Sequence, residues 1–177
     1  MGTVTVVSTF AREFQKTKLL ADRAIAQLSD DQLHARLDDE ANSVAVLMQH
    51  MAGNMRSRWT DFLTSDGEKP WRQRDAEFDP PLLSRAELLA SWENGWGTLF
   101  GALDGLTDDD LPRTVTIRGE AQAVLAALAR QLVHYAGHAY QIVLLAKHLQ
   151  GRAWTTLSIA RGQSSAYTDA LRGSGKT

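Results

Sequence analysis

Residues 120–150 carry the longest helical pattern in this chain, closed by Gly151, and this run most limits what the chain can fold into. It contains Gln131-Leu-Val-His134-Tyr-Ala-Gly-His138. Histidines four apart lie on one helix face, with Cβ atoms about 5–6 Å apart. That is the separation two ligands of one metal ion require. Ordinary helix histidines on half-polar faces are the alternative reading of the same spacing.

Three more stretches have helical periodicity. The first runs from Ser8, a candidate N-cap, to Leu28, with Phe10, Phe14, Leu20, Ala21, Ala24 and Ile25 recurring at helical spacing. Ser29-Asp-Asp-Gln32 reads as a capping box opening one short helical turn. The second begins at Ser43 and is expected to continue to about Ser65, burying Val44, Leu47, Met48, Met51, Met55, Trp59 and Phe62. Gly53 interrupts it at a cost of about 1 kcal/mol relative to alanine, which suggests that something packs closely against that turn. The third starts after Ser84, where Ser84-Arg-Ala-Glu87 is another capping box, and ends at Gly105. Residues 113–118 alternate and predict a short extended segment, and residues 164–171 predict a short helix in the tail.

These elements predict an all-α fold, a four-helix bundle with one domain over residues 1–172 and a flexible tail at 173–177. Residues 66–83 form a long connection broken by Gly67, Pro70, Pro80 and Pro81. It is long enough to run the length of the bundle, so the second and third long helices would be parallel and the order up-down-down-up. Gly175-Lys-Thr177 resembles the end of a phosphate-binding loop, but Ala170 stands where that pattern needs glycine.

Composition narrows the chemistry. The chain has 177 residues, a formal net charge of -2 and no long run of one sign, so neither nucleic acid nor a membrane is expected as a partner. It has no cysteine, so a transition-metal site must use His, Asp and Glu. With no secretory signal pattern, the expected location is the cytoplasm.

If the second long helix is antiparallel to the fourth, His50 comes level with His134 and His138 to within a turn, about 5 Å. One ion can then touch all three. The same register brings Glu93 near that height as the nearest carboxylate, with no general base assigned. Asn54, Gln131 and Gln141 each stand about a turn from a histidine and are candidate acceptors for the outer imidazole N–H groups. His148, at the last turn of the fourth helix, reads as a helix-end cation.

The segments Asn42-Ser-Val-Ala-Val-Leu-Met-Gln-His50, Met51-Ala-Gly-Asn-Met-Arg-Ser-Arg-Trp59 and Gln131-Leu-Val-His-Tyr-Ala-Gly-His138 resemble the DinB/YfiT-like superfamily, in a branch whose function is unknown. The resemblance extends from about Ser8 to Tyr167. It implies the up-down-down-up bundle and a metal triad at His50, His134 and His138. Characterised relatives include metal-dependent thiol S-transferases and a thiol-dependent isomerase, which leaves the reaction open.

Three imidazoles suit zinc, nickel or ferrous iron and leave positions open for a water or a low-molecular-weight thiol. The connection 66–83 is expected to bring Trp71, Arg72 and Arg74 to the site, and the tail Trp154 and Arg161. These would suit a small-molecule substrate with a carboxylate or phosphate. The expected function is therefore metal-dependent thiol transfer or hydrolysis. The alternative is a non-catalytic metal-binding or structural bundle, with a homodimer expected.

Overall fold

The computed structural model describes residues 4–79 and 81–173. It is mostly helical, with one small sheet. The helices are α1 Val6–Ile25, α2 Asp30–His34, α3 Val44–Trp59, α4 Arg85–Asp104, α5 Val124–Gln150 and α6 Ser164–Gly173. The strands are β1 Thr114–Ile117 and β2 Glu120–Ala123. Among the described residues no helix is long and apolar enough to cross a membrane. The phosphate-loop-like end and the tail from residue 174 onward lie outside the described residues.

Local chemistry sets the helix starts. Ser29 and Ser84 each accept from the backbone N–H three residues on, while Gln32 and Glu87 reach back, as the capping boxes predict. Ser43 caps α3 alone by accepting from the Val46 N–H. At α1 the expectation was off by one turn. Thr5 is the N-cap, and Ser8 is the third helical residue, whose hydroxyl accepts from the Thr5 N–H.

α3 is buried on nearly every side, at 13 of its 16 residues, so it is the central helix rather than a surface one. It packs along α4, and α1 packs along α5, with further contacts between α3 and α5 and between α1 and α4. Gly95 makes the α3–α4 approach possible, because a Cβ there would lie 2.8 Å from the Ala52 Cα. Between the helices lies an aromatic cluster in which Phe14, Trp59, Trp96 and Tyr135 meet at ring-centre distances of 5.9–6.1 Å.

Two boundaries differ from the sequence reading. α3 ends at Trp59, not near Ser65. Asp61 turns the chain with a positive φ of 49°, and the N–H groups of Thr64 and Ser65 then bond to its carbonyl. α5 begins at Val124, not Glu120, because residues 120–123 pair with β1 in a hairpin. The hairpin turns on Arg118 and Gly119, both with positive φ, which matches the twist of a two-residue connection.

The hairpin anchors the long connection. The Asp66 carboxylate accepts from the N–H groups of Arg118, Gly119 and Glu68, and these backbone donors hold its pKa at about 2. Gly67 donates to the Thr116 carbonyl at 2.8 Å, and its own carbonyl accepts from Ser57 and Arg58 of α3. From this fixed start the chain reaches a short 3-10 turn, Asp75–Glu77, that packs on α3.

Candidate metal centre

Tyr135 fixes the rotation of α5. It is fully buried and donates to Asn54 Oδ1 at 2.9 Å, while Trp59 Nε1–H donates to its hydroxyl at 3.1 Å. The buried line Gln131, Tyr135, Ala139, Ile142 faces the interior, and His134 and His138 stand half-buried at its edge. His50 projects from α3 toward them and is 4% exposed.

The three imidazoles converge. His134 Nε2 lies 3.0 Å from His138 Nε2 and 3.4 Å from His50 Nε2, and one ring nitrogen of each histidine falls within 4.8 Å of the others. Two nitrogens each bound about 2.0–2.1 Å from one zinc ion would stand roughly 3–3.4 Å apart, so the donor set fits a metal ion. The outer nitrogens support the same fit. His50 Nδ1 faces Glu77 Oε2 at 3.0 Å and His138 Nδ1 faces Gln141 Oε1 at 2.8 Å. Both acceptors place the proton on Nδ1, which turns the Nε2 lone pairs inward. The inward lone pairs of His50 and His138 leave the space around His134 Nε2 suited to a cation or a proton.

Glu77 is the residue that sequence reasoning missed. Its carboxylate joins His50 to Arg72, whose Nε and Nη2 donate to its two oxygens at 2.8 Å each. Burial would push its pKa up, but the bonds from His50 and Arg72 outweigh burial and leave it lowered. Gly53 makes the contact possible, because a Cβ there would lie 2.2 Å from Glu77 Oε1. The close packing expected at Gly53 is therefore this carboxylate, and glycine one turn after His50 was its signal.

The other candidates are distributed as follows. Asn54 and Gln131 line a cavity of about 210 Å³ beside His50 and His134. Asn54 is engaged by Tyr135, while Gln131 Oε1 is buried with no hydrogen-bond partner. Glu93 accepts from Lys18 at 2.8 Å, is 61% exposed and does not line this cavity. Arg72 and Arg74 line it, whereas Arg161 is exposed in the tail and does not. Trp71 stacks with Arg56, and Trp154 packs partly buried on the helix core. His148 is exposed, and His34 Nε2 contacts the Leu83 carbonyl at 3.0 Å. A larger cavity of about 420 Å³ between α1 and α5 contains none of the three triad histidines.

Burial lowers the His134 pKa to about 3, and a proton there would also be repelled by any proton on His138 or His50 and by the Arg58 and Arg72 guanidinium groups. Burial likewise lowers that of His138, against the Gln141 bond. Both imidazoles are therefore neutral at pH 7, the state a metal ligand needs. A depressed histidine stabilises the fold above its unfolded value near 6.5 and loses that contribution as pH falls toward the folded value. Chelator-treated protein is expected to lose stability in denaturant titrations as pH drops from about 6.5 to 5, before most carboxylates protonate. The His134→Gln variant should show a flatter profile over that interval. A wild-type stability that does not change there would show that His134 is not held neutral by burial.

Residues 3–163 match a family described as a protein of unknown function, DUF1572, and the chain belongs to that family. No curated protein matches it.

Proposed function

We propose that this protein is a metal-dependent enzyme of the DinB/YfiT-like kind, with His50, His134 and His138 as ligands of one divalent transition metal, zinc or nickel. The observation that carries this reading is the convergence of three Nε2 atoms, two of them on imidazoles whose outer nitrogens already have acceptors. When bound, such an ion supplies a Lewis acid with open positions, at which a thiol or water loses its proton near neutral pH. The chain's own part is to orient the imidazoles through Glu77 and Gln141, and to hold a substrate in the cavity beside them. The reaction would be thiol transfer to a small electrophile or hydrolysis of a small ester. The proposal places the protein in the cytoplasm, where low-molecular-weight thiols stay reduced.

The four long helices are read as an up-down-down-up bundle. Terminal contacts support this order. Arg85, at the start of α4, bonds to Asp30 and to the Leu28 carbonyl just after α1, while the first N–H groups of α1 bond to Asp108 beyond the end of α4. Gln150, at the end of α5, reaches Gln27 just after α1, which suits α1 and α5 running the same way.

A second reading, a non-catalytic metal-binding or structural homodimer, has one observation in its favour. Val133, Tyr140 and Leu144 are 65–75% exposed along α5.

Zinc-loaded protein incubated with electrophiles plus a low-molecular-weight thiol, and separately with activated esters in water, distinguishes the readings. Turnover is expected in at least one arm, lost with a chelator and restored by zinc. No metal-dependent turnover in either arm favours the second reading.

A further inference from the structure

The cavity beside His50 and His134 is lined by five arginines, Arg58, Arg72, Arg74, Arg118 and Arg130, and by no carboxylate. Such a concentration of guanidinium groups is costly unless anions neutralise it. Two nearby acids do part of this. Glu77 engages Arg72, and Glu68 engages Arg58 and Arg118. The Arg74 side chain has only Asp75 at 3.9 Å, besides lying over the Phe78 ring, and the Arg130 side chain makes no hydrogen bond or ion pair among the described residues. Two guanidinium forks thus lack a firm anionic partner in a cavity that already holds three others.

A second observation points to a ligand there. Gln131 is 4% exposed, lines the same cavity, and its Oε1 has no hydrogen-bond partner. A buried unsatisfied acceptor costs about 1–3 kcal/mol, and a donor on a bound molecule would relieve it. The cavity, about 210 Å³, is below the roughly 300–1,000 Å³ of drug-sized sites, so the occupant is small.

We propose that this cavity is a specificity pocket for a small anionic substrate, whose carboxylate or phosphate is gripped by Arg74 and Arg130 while Gln131 accepts from a hydroxyl or N–H of the same molecule. The fixed pair Arg72–Glu77 and the Glu68 cluster frame the pocket, and the two open forks read the anion, since guanidinium groups match both carboxylate and phosphate bidentately. Placing the substrate's reacting atom beside the histidines rests on the metal reading above. The anion site itself does not.

The test is calorimetric titration at low ionic strength with inorganic phosphate and, separately, with succinate. The proteins are wild type, the Arg74→Gln/Arg130→Gln double variant and Arg161→Gln, each with its metal content measured. Wild type is expected to bind at least one anion saturably, the double variant to bind it about tenfold or more weakly, and Arg161→Gln to match wild type. Preference for phosphate or for succinate identifies which group the substrate carries, and either supports the pocket. All three substituted side chains are exposed, so the melting temperature should not fall. No saturable binding of either anion by about 10 mM, or equal binding in the double variant, overturns the proposal. Anion binding that is lost in the double variant, in a protein found to hold no metal, would leave the pocket standing and remove the metal reading alone.

Discussion

Replacing His138 with alanine is expected to lower bound zinc from about one equivalent per chain to below about 0.2, because two imidazoles do not retain an ion that three hold in an open site. His138 contributes the nitrogen 3.0 Å from His134 Nε2. The fold should survive. The side chain is half-buried, alanine has the best helix propensity, and Ala139 and Tyr135 keep α5 seated. Elemental analysis after purification without chelators or a metal-affinity tag, with circular dichroism on the same sample, reads both quantities. His148→Ala, at an exposed position on the same helix, should retain the metal. Unchanged zinc in His138→Ala would overturn the triad.

Much of this arrangement was legible in the sequence, and the exceptions have physical causes. The capped starts of α2, α3 and α4 were readable because side-chain caps are local chemistry, written within four residues. The α1 start differs because its box pairs Thr5 with Ser8 rather than with Glu or Gln, and the α5 start differs because it has no side-chain cap. Ala123 precedes α5 with no side-chain cap, and Ala121 and Ala123 are helix formers, so the sequence of β2 reads as the first turn of the helix. Its true signal was Arg118-Gly119, a weaker turn pair than Asn-Gly.

The height of His50 against His134 followed from helix rise alone, but rotation about the axis did not. Glu93 shows the difference. Its neighbour Trp92 is buried and bonds to Asp22, and one residue further round the helix Glu93 faces Lys18 rather than the histidines. The carboxylate that does reach them comes from the long connection, whose path depends on Asp66 docking to a hairpin of which the sequence pattern predicts only the first strand.

Gly53→Ala is expected to weaken metal affinity about 10–100-fold, the usual cost of losing the group that orients a ligand histidine. The new Cβ would fall 2.2 Å from Glu77 Oε1, so the carboxylate must leave the position from which it accepts the His50 proton. The obstructed atom is the end of a flexible side chain, so the displacement should not unfold the protein. Alanine in mid-helix is itself worth up to about 1 kcal/mol over glycine, which offsets part of the disturbance to the Arg72–Glu77 pair, so affinity should fall far more than stability. That difference separates a site effect from general damage. Glu77→Gln tests the same carboxylate less cleanly, because it also removes the charge facing Arg72, whose side chain is 2% exposed. Loss of that buried partner should lower stability as well as affinity. Competition against a zinc chelator of known affinity measures both variants. If Gly53→Ala and Glu77→Gln both bind zinc as tightly as wild type, Glu77 does not orient His50, and the contact between them is packing alone.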